Sequence, residues 1–186
     1  MIHSVAVYLG SAKGSEKYLD FAFAFGKTLA ENHIKVVFGG ADVGTMRALA
    51  DGVLSAGGEI VGVFPVGFGG KREIAATHKD IRSKDLSDSI PVKDLAERKQ
   101  KMIEMTDCCI ILPGGFGTMD ELFCHAVGNE VGLHDKKAYV MNVFSYYDGL
   151  EQQLGTMSRE GFLPSGPAVI EFLHSPEEFI SLARSL

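Results

Sequence analysis

One segment of the sequence combines residue types that could hold an anion and act on it. The apolar run 108–112 is followed by Pro113-Gly114-Gly115-Phe116-Gly117-Thr118-Met119-Asp120-Glu121. A buried strand that breaks at glycines and restarts as a helix leaves free backbone N–H groups beside the positive end of the helix dipole. Glu121 would lie in the first turn of that helix. The segment therefore predicts an anion site with a carboxylate next to it.

The same residues also have a purely structural interpretation. Thr118 and Glu121 have the spacing of a capping box, in which both side chains satisfy backbone donors of the first helical turn. Gly114 and Gly115 would then serve only to let the backbone turn tightly. The segment is neither a P-loop nor a G-x-G-x-x-G dinucleotide-binding loop. On this segment alone, both interpretations stay open.

A second charged cluster, Asp94-Leu95-Ala96-Glu97-Arg98-Lys99, precedes the same strand. On a helix, Arg98 and Lys99 point in directions about 100° apart, so one could face a crevice while the other reaches the surface or a partner subunit. A guanidinium group binds phosphate or carboxylate in a bidentate manner and also stacks on bases. The alternative is a solvated helix in which Glu97 and Lys101 form an i,i+4 ion pair.

Composition is that of an ordinary soluble globular protein. Of the 186 residues, 46% are hydrophobic and 23% are charged, which is close to the average for globular domains. The length predicts one domain, residues 1–186, with a substantial core. The formal net charge of -6 argues against binding to nucleic-acid polymers, which usually requires a basic face.

The sequence shows no sign of a membrane segment or a signal peptide. No apolar run is long enough to cross a bilayer, and a strand pattern begins within the first residues. Of the three cysteines, Cys108 and Cys109 lie in a predicted buried strand, and none pairs with Cys124 in a C-x-x-C motif. We interpret them as small hydrophobic residues in a reducing compartment, which predicts a cytoplasmic protein.

The histidines do not indicate a metal site. None of them has the spacing of H-E-x-x-H or a similar metal-binding motif. They are His3, His33, His78, His125, His134 and His174. The sequence therefore indicates neither a metal nor a cofactor.

The elements that must position these residues alternate along the chain. Strands are predicted at 5–9, 34–38, 59–64, 108–112, 138–143 and about 169–172, and helices at about 16–32, 45–56, 92–105, 119–131, 146–160 and from 176 onward. Between them, residues 67–91 are polar and irregular. Such a long connection is uncommon inside a domain unless it is functional or mobile.

Alternating strands and helices indicate the fold class. Buried apolar strands between amphipathic helices predict a parallel sheet covered on both faces, which is the α/β, doubly wound, Rossmann-like fold. In the strand order 3-2-1-4-5, the loops after strands one and four flank the crevice where such sheets bind ligands. Glycine-rich loops follow strands one, two and four, at Gly10-Ser11, residues 39–44 and residues 114–117. Three such loops at one sheet edge favour the anion-site interpretation.

Together, residues 113–121 and Arg98-Lys99 resemble the LOG ("Lonely guy") family, the cytokinin riboside 5′-monophosphate phosphoribohydrolases once described as lysine decarboxylases. The segment matches the family pattern P-G-G-x-G-T-x-x-E, and Arg98-Lys99 lies at the expected spacing upstream. The similarity extends to the loops after the first two strands and to Gly132-Leu133-His134-Asp135-Lys136. It therefore covers about residues 5–162, which is most of the chain.

The resemblance implies an enzyme of cytokinin biosynthesis that hydrolyses the N-glycosidic bond of a purine 5′-monophosphate, including N6-modified adenosine. The products would be the free base and ribose 5-phosphate. It also implies a homodimer with pockets near the interface and a small nucleotide as the partner molecule. Arg98 and Glu121 would be the catalytic pair. The phosphate- and substrate-binding residues would be Gly10, Ser11, Asp88, Lys99, Gly114, Gly115, Gly117 and Thr118, with Asp88 standing where the family has an acidic substrate contact.

Two segments depart from the family pattern. Leu95-Ala96 stands where the family commonly has Met-His, and an alanine cannot supply an imidazole contact. Residues 127–132 replace Thr-Trp-x-Gln-Leu-Gly, which removes an aromatic residue, adds Glu130 and predicts a remodelled substrate pocket. The departures keep a second hypothesis open, in which the protein is a nucleotide or molybdenum-cofactor carrier that does not cleave its ligand. A dehydrogenase is disfavoured because G-x-G-x-x-G is missing after strand one.

Overall fold

A seven-stranded parallel sheet forms the centre of the protein. The computed structural model describes residues 1–66, 86–163 and 169–186. The strands are β1 (Ser4–Tyr8), β2 (Lys35–Phe38), β3 (Ile60–Pro65), β4 (Asp88–Val92), β5 (Cys108–Ile111), β6 (Ala138–Met141) and β7 (Ile170–Leu173). Their order is β4-β3-β2-β1-β5-β6-β7, and every neighbouring pair is parallel. The predicted order of the five inner strands is confirmed.

Helices cover both faces of this sheet, as the predicted doubly wound fold requires. They are α1 (Glu16–Glu31), α2 (Gly44–Ser55), α3 (Leu95–Glu104), α4 (Phe116–Glu130), α5 (Asp148–Arg159) and α6 (Pro176–Ser185). Buried residues of α1, α2 and α6 form one core, and those of α3, α4 and α5 form the other. None of the helices in the described ranges is both long and apolar enough to cross a membrane.

The two cores are separated by the side-chain alternation of the strands. In β1, Val5 and Val7 enter the core under α1 and α2, whereas Ala6 and Tyr8 enter the core under α3 and α4. Successive residues of a strand point to opposite faces, so a strand that is buried on both sides must be apolar throughout. This explains why the central strands read as unbroken apolar runs and why they could be recognised from the sequence.

Strand β4 corrects the predicted irregular connection over residues 67–91. Among the described residues it pairs with β3 alone and forms an edge of the sheet, where Pro91 is tolerated because one side of the strand needs no hydrogen-bond partner. Residues 67–85 of that predicted connection lie outside the described residues. The helix predicted from residue 92 begins at Leu95, because Val92 ends β4 and the Asp94 carboxylate caps the helix by accepting the Glu97 N–H at 2.8 Å.

Helices α1 and α2 pack with their backbones in contact. A β-carbon added to Gly52 would overlap the carbonyl group of Phe23, and one added to Gly26 would overlap the carbonyl group of Leu49. Such an approach is open only to residues without a side chain. The helix pair over this half of the sheet is therefore fixed by glycines and has no room between the two backbones.

Candidate active site

A cavity of about 550 Å³ opens at the carboxyl ends of β1 and β5, the pair of strands where the chain reverses direction across the sheet. This volume lies within the usual range for small-molecule sites. Two loops, 9–14 and 113–118, form most of its walls. The loop and first turn after β2 contribute Ala41, Thr45 and Met46. Single residues of α1, α3, α4 and the turn after β6 complete the walls: Tyr18, Arg98, Glu121 and Tyr146.

The structure brings most of the predicted site residues together around this cavity. Gly10, Ser11, Arg98, Gly114, Gly115, Gly117, Thr118 and Glu121 all line it. A second depression of about 530 Å³ lies between α1 and α6. Among the described residues that line it, Arg184 is the one cation and is bonded to Asn32, and none belongs to a glycine-rich loop. The chemistry-bearing residues thus converge on the first cavity.

The loops after β1 and β5 touch each other at the floor of the cavity. The Gly10 N–H donates to the Pro113 carbonyl at 3.2 Å, and the Thr45 hydroxyl donates to the Gly10 carbonyl at 2.6 Å. A β-carbon on Gly114 would lie 2.8 Å from the Gly10 nitrogen and would overlap the Thr118 side chain. Gly114 is therefore required by close packing of the two loops.

The space around Gly115 and Gly117 is open, in contrast to the close packing around Gly114. A β-carbon on either would meet no atom within 4 Å, and neither has a positive φ angle. Both line the cavity. The first hydrogen bond of α4 runs from the Met119 N–H to the Gly115 carbonyl at 3.1 Å, so the preceding N–H groups have no partner within the helix. Open space beside free N–H groups at a helix N-terminus suits a phosphate or carboxylate.

Glu121 does not cap its helix, so the capping-box interpretation is wrong. Helix α4 begins at Phe116 rather than near Met119, and its N-cap residue, Gly115, has no side chain to bond the first turn. Thr118 is consequently the third residue of the helix, and Glu121 lies in the second turn. The Glu121 side chain is directed at α3 instead.

Arg98 and Glu121 form a buried ion pair beside the cavity. The Arg98 Nη2 donates to Glu121 Oε1 at 2.6 Å, and the two side chains are 16% and 4% exposed. The other terminal nitrogen, Nη1, faces the loop after β2, where a β-carbon on Gly39 would lie 3.4 Å away. The Nε group is buried and has no hydrogen-bond partner among the described residues. The Arg98 side chain also lines the cavity, so the ion pair lies at its wall.

Burial raises the pKa of Glu121 to about 7, against the lowering effect of Arg98. Removal of a carboxylate from water disfavours its charged form, and a neighbouring cation offsets only part of that cost. A carboxyl group whose pKa lies near neutrality can both accept a proton and stabilise positive charge at physiological pH. Functional sites are where such shifts concentrate.

Lys99 points away from the cavity, as the predicted angle between adjacent helix residues allows. Its ammonium group donates to both carboxylate oxygens of Asp120, at 2.9 and 2.8 Å. The alternative i,i+4 pair does not form: Glu97 accepts the Lys93 N–H at 2.7 Å, and Lys101 lies near Glu104. Lys99 therefore ties α3 to α4 and does not line the cavity.

The structure does not bring Asp88 to this cavity in the described part of one chain. It is the first residue of β4 and pairs with Val61 near the start of β3, at the amino ends of the strands. The cavity lies at the carboxyl ends, and β4 is separated from β1 by two strands. The Asp88 carboxylate accepts the N–H of Ser89 at 2.7 Å. The sequence pattern did not reveal that Asp88 begins an edge strand, and this position explains why Asp88 lies away from the cavity.

The segments that depart from the family pattern also lie outside this cavity. Neither Ala96 nor residues 127–132 line it in the described part of one chain. Gly128 instead packs against His134, whose Nε2 would lie 2.9 Å from an added β-carbon. The expected remodelling of the pocket by these residues is thus not seen within one chain.

Two tyrosines that belong to no recognisable sequence motif contact the glycine-rich loop. The Tyr146 hydroxyl donates to the Gly114 carbonyl, and the Tyr147 hydroxyl donates to the Leu112 carbonyl, each at 2.7 Å. Both follow β6, which neighbours β5 in the sheet. Their position at the carboxyl end of a predicted strand was the one signal that could have identified them.

Comparisons with known proteins agree with the motif resemblance. A family model described as possible lysine decarboxylase matches residues 46–183. A cytokinin riboside 5′-monophosphate phosphoribohydrolase of Rhodococcoides fascians is 37% identical over 161 residues, covering 86% of this chain and 78% of that protein. An Arabidopsis thaliana protein of the same name is 32% identical over 160 residues, covering 86% of this chain and 67% of that protein.

Solved structures show the same fold at lower sequence identity. The molybdenum cofactor binding protein of Rippkaea orientalis aligns with a TM-score of 0.68 and 19% identity, covering 98% of this chain and 95% of that one. This likeness concerns the fold alone. The match to the family model and the identities above 30% go further: the chain belongs to the LOG family, whose relatives carry the name cytokinin riboside 5′-monophosphate phosphoribohydrolase.

Proposed function

We propose that this protein hydrolyses the N-glycosidic bond of a purine nucleoside 5′-monophosphate and releases the base and ribose 5-phosphate. The observation that carries the proposal is the buried Arg98–Glu121 pair, which lies beside a cavity with an open glycine-rich cradle. The names of the relatives support the same reaction class. A purine that is modified at N6, as in a cytokinin, is the substrate that those names favour.

The cradle at the start of α4 would bind the 5′-phosphate. The N–H groups near Gly115, Gly117 and Thr118 lack helical partners, and the helix dipole favours negative charge at this end. The open space at both glycines leaves room for the phosphate oxygens. A phosphate held there would fix the ribose between the loop and Glu121, which converts binding energy into orientation of the scissile bond.

Glu121 would supply the charge that the reaction needs. When the bond between the anomeric carbon and the base nitrogen breaks, its electron pair leaves with the base and positive charge develops on the ribosyl ring. The Glu121 carboxylate stabilises that charge and accepts a proton from the attacking water, whose oxygen bonds to the anomeric carbon. The departing base takes up one proton, so the reaction balances with one water consumed.

Arg98 would assist in two ways. Its ion pair with Glu121 opposes the effect of burial and keeps a larger fraction of that carboxyl group ionised. Its guanidinium group lines the cavity and would donate to the phosphate or the departing base. No step of this scheme needs a metal or a cofactor.

The reaction is tested by incubation of the purified protein with AMP, GMP and N6-prenyl-AMP and an assay for ribose 5-phosphate. We expect release from at least one of them, and a loss of about 10³-fold in kcat for Glu121→Gln, because the amide neither accepts the proton nor carries the charge. Glu31→Gln, the same change at an exposed position at the end of α1 and away from the cavity, is the control. Absence of release by folded wild-type protein would contradict the proposal, and full turnover by Glu121→Gln would leave Glu121 a structural role.

A second candidate function is a carrier that binds a nucleotide-like ligand without cleaving it. Ala96, in place of the histidine common in the family, supports this alternative. The buried carboxylate beside the cradle argues against it, because storage of a ligand needs no group with a near-neutral pKa. A ligand that co-purifies intact, together with absence of turnover, would identify a carrier.

We also propose a homodimer that forms across α4. Phe123, Val127 and Val131 follow Phe116 at intervals that place all four on one side of the helix, and all are exposed, Phe116 to 97%. An apolar stripe of this kind is typical of an interface. Light scattering should give twice the chain mass, and Phe123→Asp should halve it. Phe23→Asp is the control because Phe23 on α1 is equally exposed, at 40%.

A cytoplasmic location is our last proposal about function. Cys108, Cys109 and Cys124 are all free thiols, and Cys124 is exposed. Unpaired thiols are typical of reducing compartments. Fractionation of cells that express the protein at its natural level should recover it with cytoplasmic markers, whereas recovery with secreted protein would contradict this proposal.

A further inference from the structure

Three consecutive carbonyl groups of the loop after β5 accept hydrogen bonds from other loops. The Leu112 carbonyl accepts from the Tyr147 hydroxyl at 2.7 Å, the Pro113 carbonyl from the Gly10 N–H at 3.2 Å, and the Gly114 carbonyl from the Tyr146 hydroxyl at 2.7 Å. These donors come from the loops that follow β6 and β1, the two neighbours of β5 in the sheet. The loop is therefore held from both sides.

The bond to Gly114 matters most for an anion in the cavity. A carbonyl oxygen carries partial negative charge and would repel a phosphate nearby, whereas a carbonyl already bonded to a hydroxyl does so less. In a trans peptide the C=O and the following N–H point in opposite directions, so a fixed Gly114 carbonyl also fixes the Gly115 N–H. The two tyrosines thus set the direction of the donors in the cradle.

The turn that presents both tyrosines has a costly backbone conformation. Phe144 and Ser145 have φ angles of 56° and 58°, in the left-handed region that residues with side chains rarely adopt. Residues persist there only when their surroundings hold them, and such positions cluster at functional sites. Here Asn142, which is buried, accepts the Tyr147 N–H at 2.8 Å and donates to Asp148 at 2.9 Å. The turn is clamped in the shape that aims the two hydroxyls at the loop.

The two tyrosines differ in exposure. Tyr147 is 3% exposed, whereas Tyr146 is 41% exposed and lines the cavity. The Tyr146 ring packs edge-on against Tyr18 at 5.4 Å and against Tyr147 at 4.8 Å between ring centroids. Contact with two other rings leaves Tyr146 little freedom to turn away from Gly114.

We propose that Tyr146 and Tyr147 are positioning residues that hold the loop after β5 in the conformation that receives a sugar 5-phosphate. The inference rests on the proposed function for the identity of that ligand. The tyrosines act through the loop backbone, so they control how tightly the phosphate binds and have no part in bond cleavage.

The test is calorimetric binding of ribose 5-phosphate to Tyr146→Phe, with Tyr139→Phe as the matched control. Tyr139 is a buried tyrosine of β6 outside the cavity. Loss of a hydrogen bond that leaves its partner unsatisfied should weaken binding about tenfold in Tyr146→Phe and leave Tyr139→Phe unchanged. In turnover, KM for the nucleotide should rise by the same factor while kcat stays within about twofold.

Further measurements separate the possible results. Calorimetric binding of ribose 5-phosphate does not depend on turnover. Absence of hydrolysis by the wild type would therefore contradict the proposed reaction, but the binding comparison would still test the role of the tyrosines. Wild-type affinity in Tyr146→Phe, an equal loss in Tyr139→Phe, or no binding by the wild type would each overturn the inference. If the Tyr147→Phe variant folds, it should bind ribose 5-phosphate more weakly in the same way. If it does not fold, Tyr146→Phe is sufficient for the test, because Tyr146 is partly exposed and its substitution should not prevent folding.

Discussion

The two helix pairs that flank the central strands are joined in opposite ways. Helices α1 and α2 meet through backbone contacts at Gly26 and Gly52. Helices α3 and α4 are joined by two ion pairs, Arg98–Glu121 and Lys99–Asp120. Both pairs cover the same sheet, one on each face.

This difference indicates that the contact between α1 and α2 serves stability, whereas the ion pairs between α3 and α4 serve function. Glycine-mediated contact is compact and leaves no space for a ligand between α1 and α2. A buried ion pair gains little stability, because desolvation of both charges offsets their attraction. Retention of Arg98 and Glu121 beside a cavity is therefore explained by chemistry rather than by folding. Substitutions in the contact between α1 and α2 should therefore change the stability of the protein, whereas substitutions in the ion pairs between α3 and α4 should change its turnover.

The largest effect is expected from Gly52→Ala, in the compact pair. The added methyl group would overlap the Phe23 carbonyl, and backbone atoms cannot move aside as a side-chain end can. We expect a loss of about 3 kcal/mol in the free energy of unfolding, measured by urea denaturation. Gly155→Ala is the control: its nearest neighbour is the end of the Arg159 side chain at 3.4 Å, and it should gain about 0.5–1 kcal/mol. A similar stability for both variants would show that α1 and α2 separate easily.

In the ion-paired helices, Arg98→Gln should instead act on turnover and its pH dependence. The pKa of Glu121 is raised by burial to about 7, and Arg98 lowers it, so wild-type kcat should rise with pH through about 7. Without Arg98 the midpoint moves to higher pH, and kcat at pH 7 should fall about 100-fold. Lys101→Gln, an exposed lysine of the same helix, should keep the wild-type profile. An unshifted profile in Arg98→Gln would show that Glu121 does not set it.

The stability of the wild type should show the same titration with the opposite sign. Native protein holds the Glu121 proton up to a pH of about 7, whereas the unfolded chain releases it near the ordinary value of 4.5. Between these values the native state binds more protons, so its free energy of unfolding should fall as the pH rises, and level off above about 7. Glu121→Gln should remove this part of the pH dependence.

A smaller effect is expected from Gly117→Ala, which tests whether the open cradle is used. No atom lies within 4 Å of the added β-carbon, and alanine favours a helix, so stability should be equal or higher. The methyl group would occupy space meant for the phosphate, and ribose 5-phosphate should bind about tenfold more weakly in calorimetry. Gly114→Ala should lose stability as well, because its β-carbon overlaps Thr118. Unchanged affinity in Gly117→Ala would place the phosphate elsewhere.

The smallest effect is expected from Asp120→Asn. The carboxylate of Asp120 is largely exposed, and exposed ion pairs contribute less than about 1 kcal/mol. We expect a change below that value in urea denaturation and a kcat within about twofold of wild type. A loss as large as that of Arg98→Gln would mean that the outer ion pair also belongs to the reaction.

Much of this architecture could be predicted because its signals are local. Apolar runs predicted the inner strands, and glycines after three of them predicted the ligand edge of the sheet. Arg98 and Glu121 stood out by charge and spacing. Edge strand β4 was missed because Pro91 and exposed polar residues hide its pattern, and because its hydrogen-bonded pairing with β3 is not recorded in the local sequence.

The start of α4 and the tyrosine contacts were missed for other physical reasons. Phe116 and Gly117 directly follow Pro113-Gly114-Gly115, a composition typical of a loop, so the local sequence places the start of the helix too late. The hydrogen bonds of Tyr146 and Tyr147 join residues more than thirty positions apart, which no local pattern records. Contacts between loops depend on the assembled sheet.

The contact between Gly10 and Gly114 also limits how such a pocket can be redesigned. A β-carbon on Gly10 would lie 3.3 Å from the Gly114 Cα atom, which is a tight contact, whereas one on Gly114 would overlap Thr118 and lie 2.8 Å from the Gly10 nitrogen. Substitutions of Gly114 should therefore yield mostly inactive protein. Lys13, Tyr18 and Met46, which we call the outer wall, line the cavity without joining the two loops. They can therefore be substituted with less effect on the fold. Natural drift and laboratory selection toward a new base should both proceed through that wall.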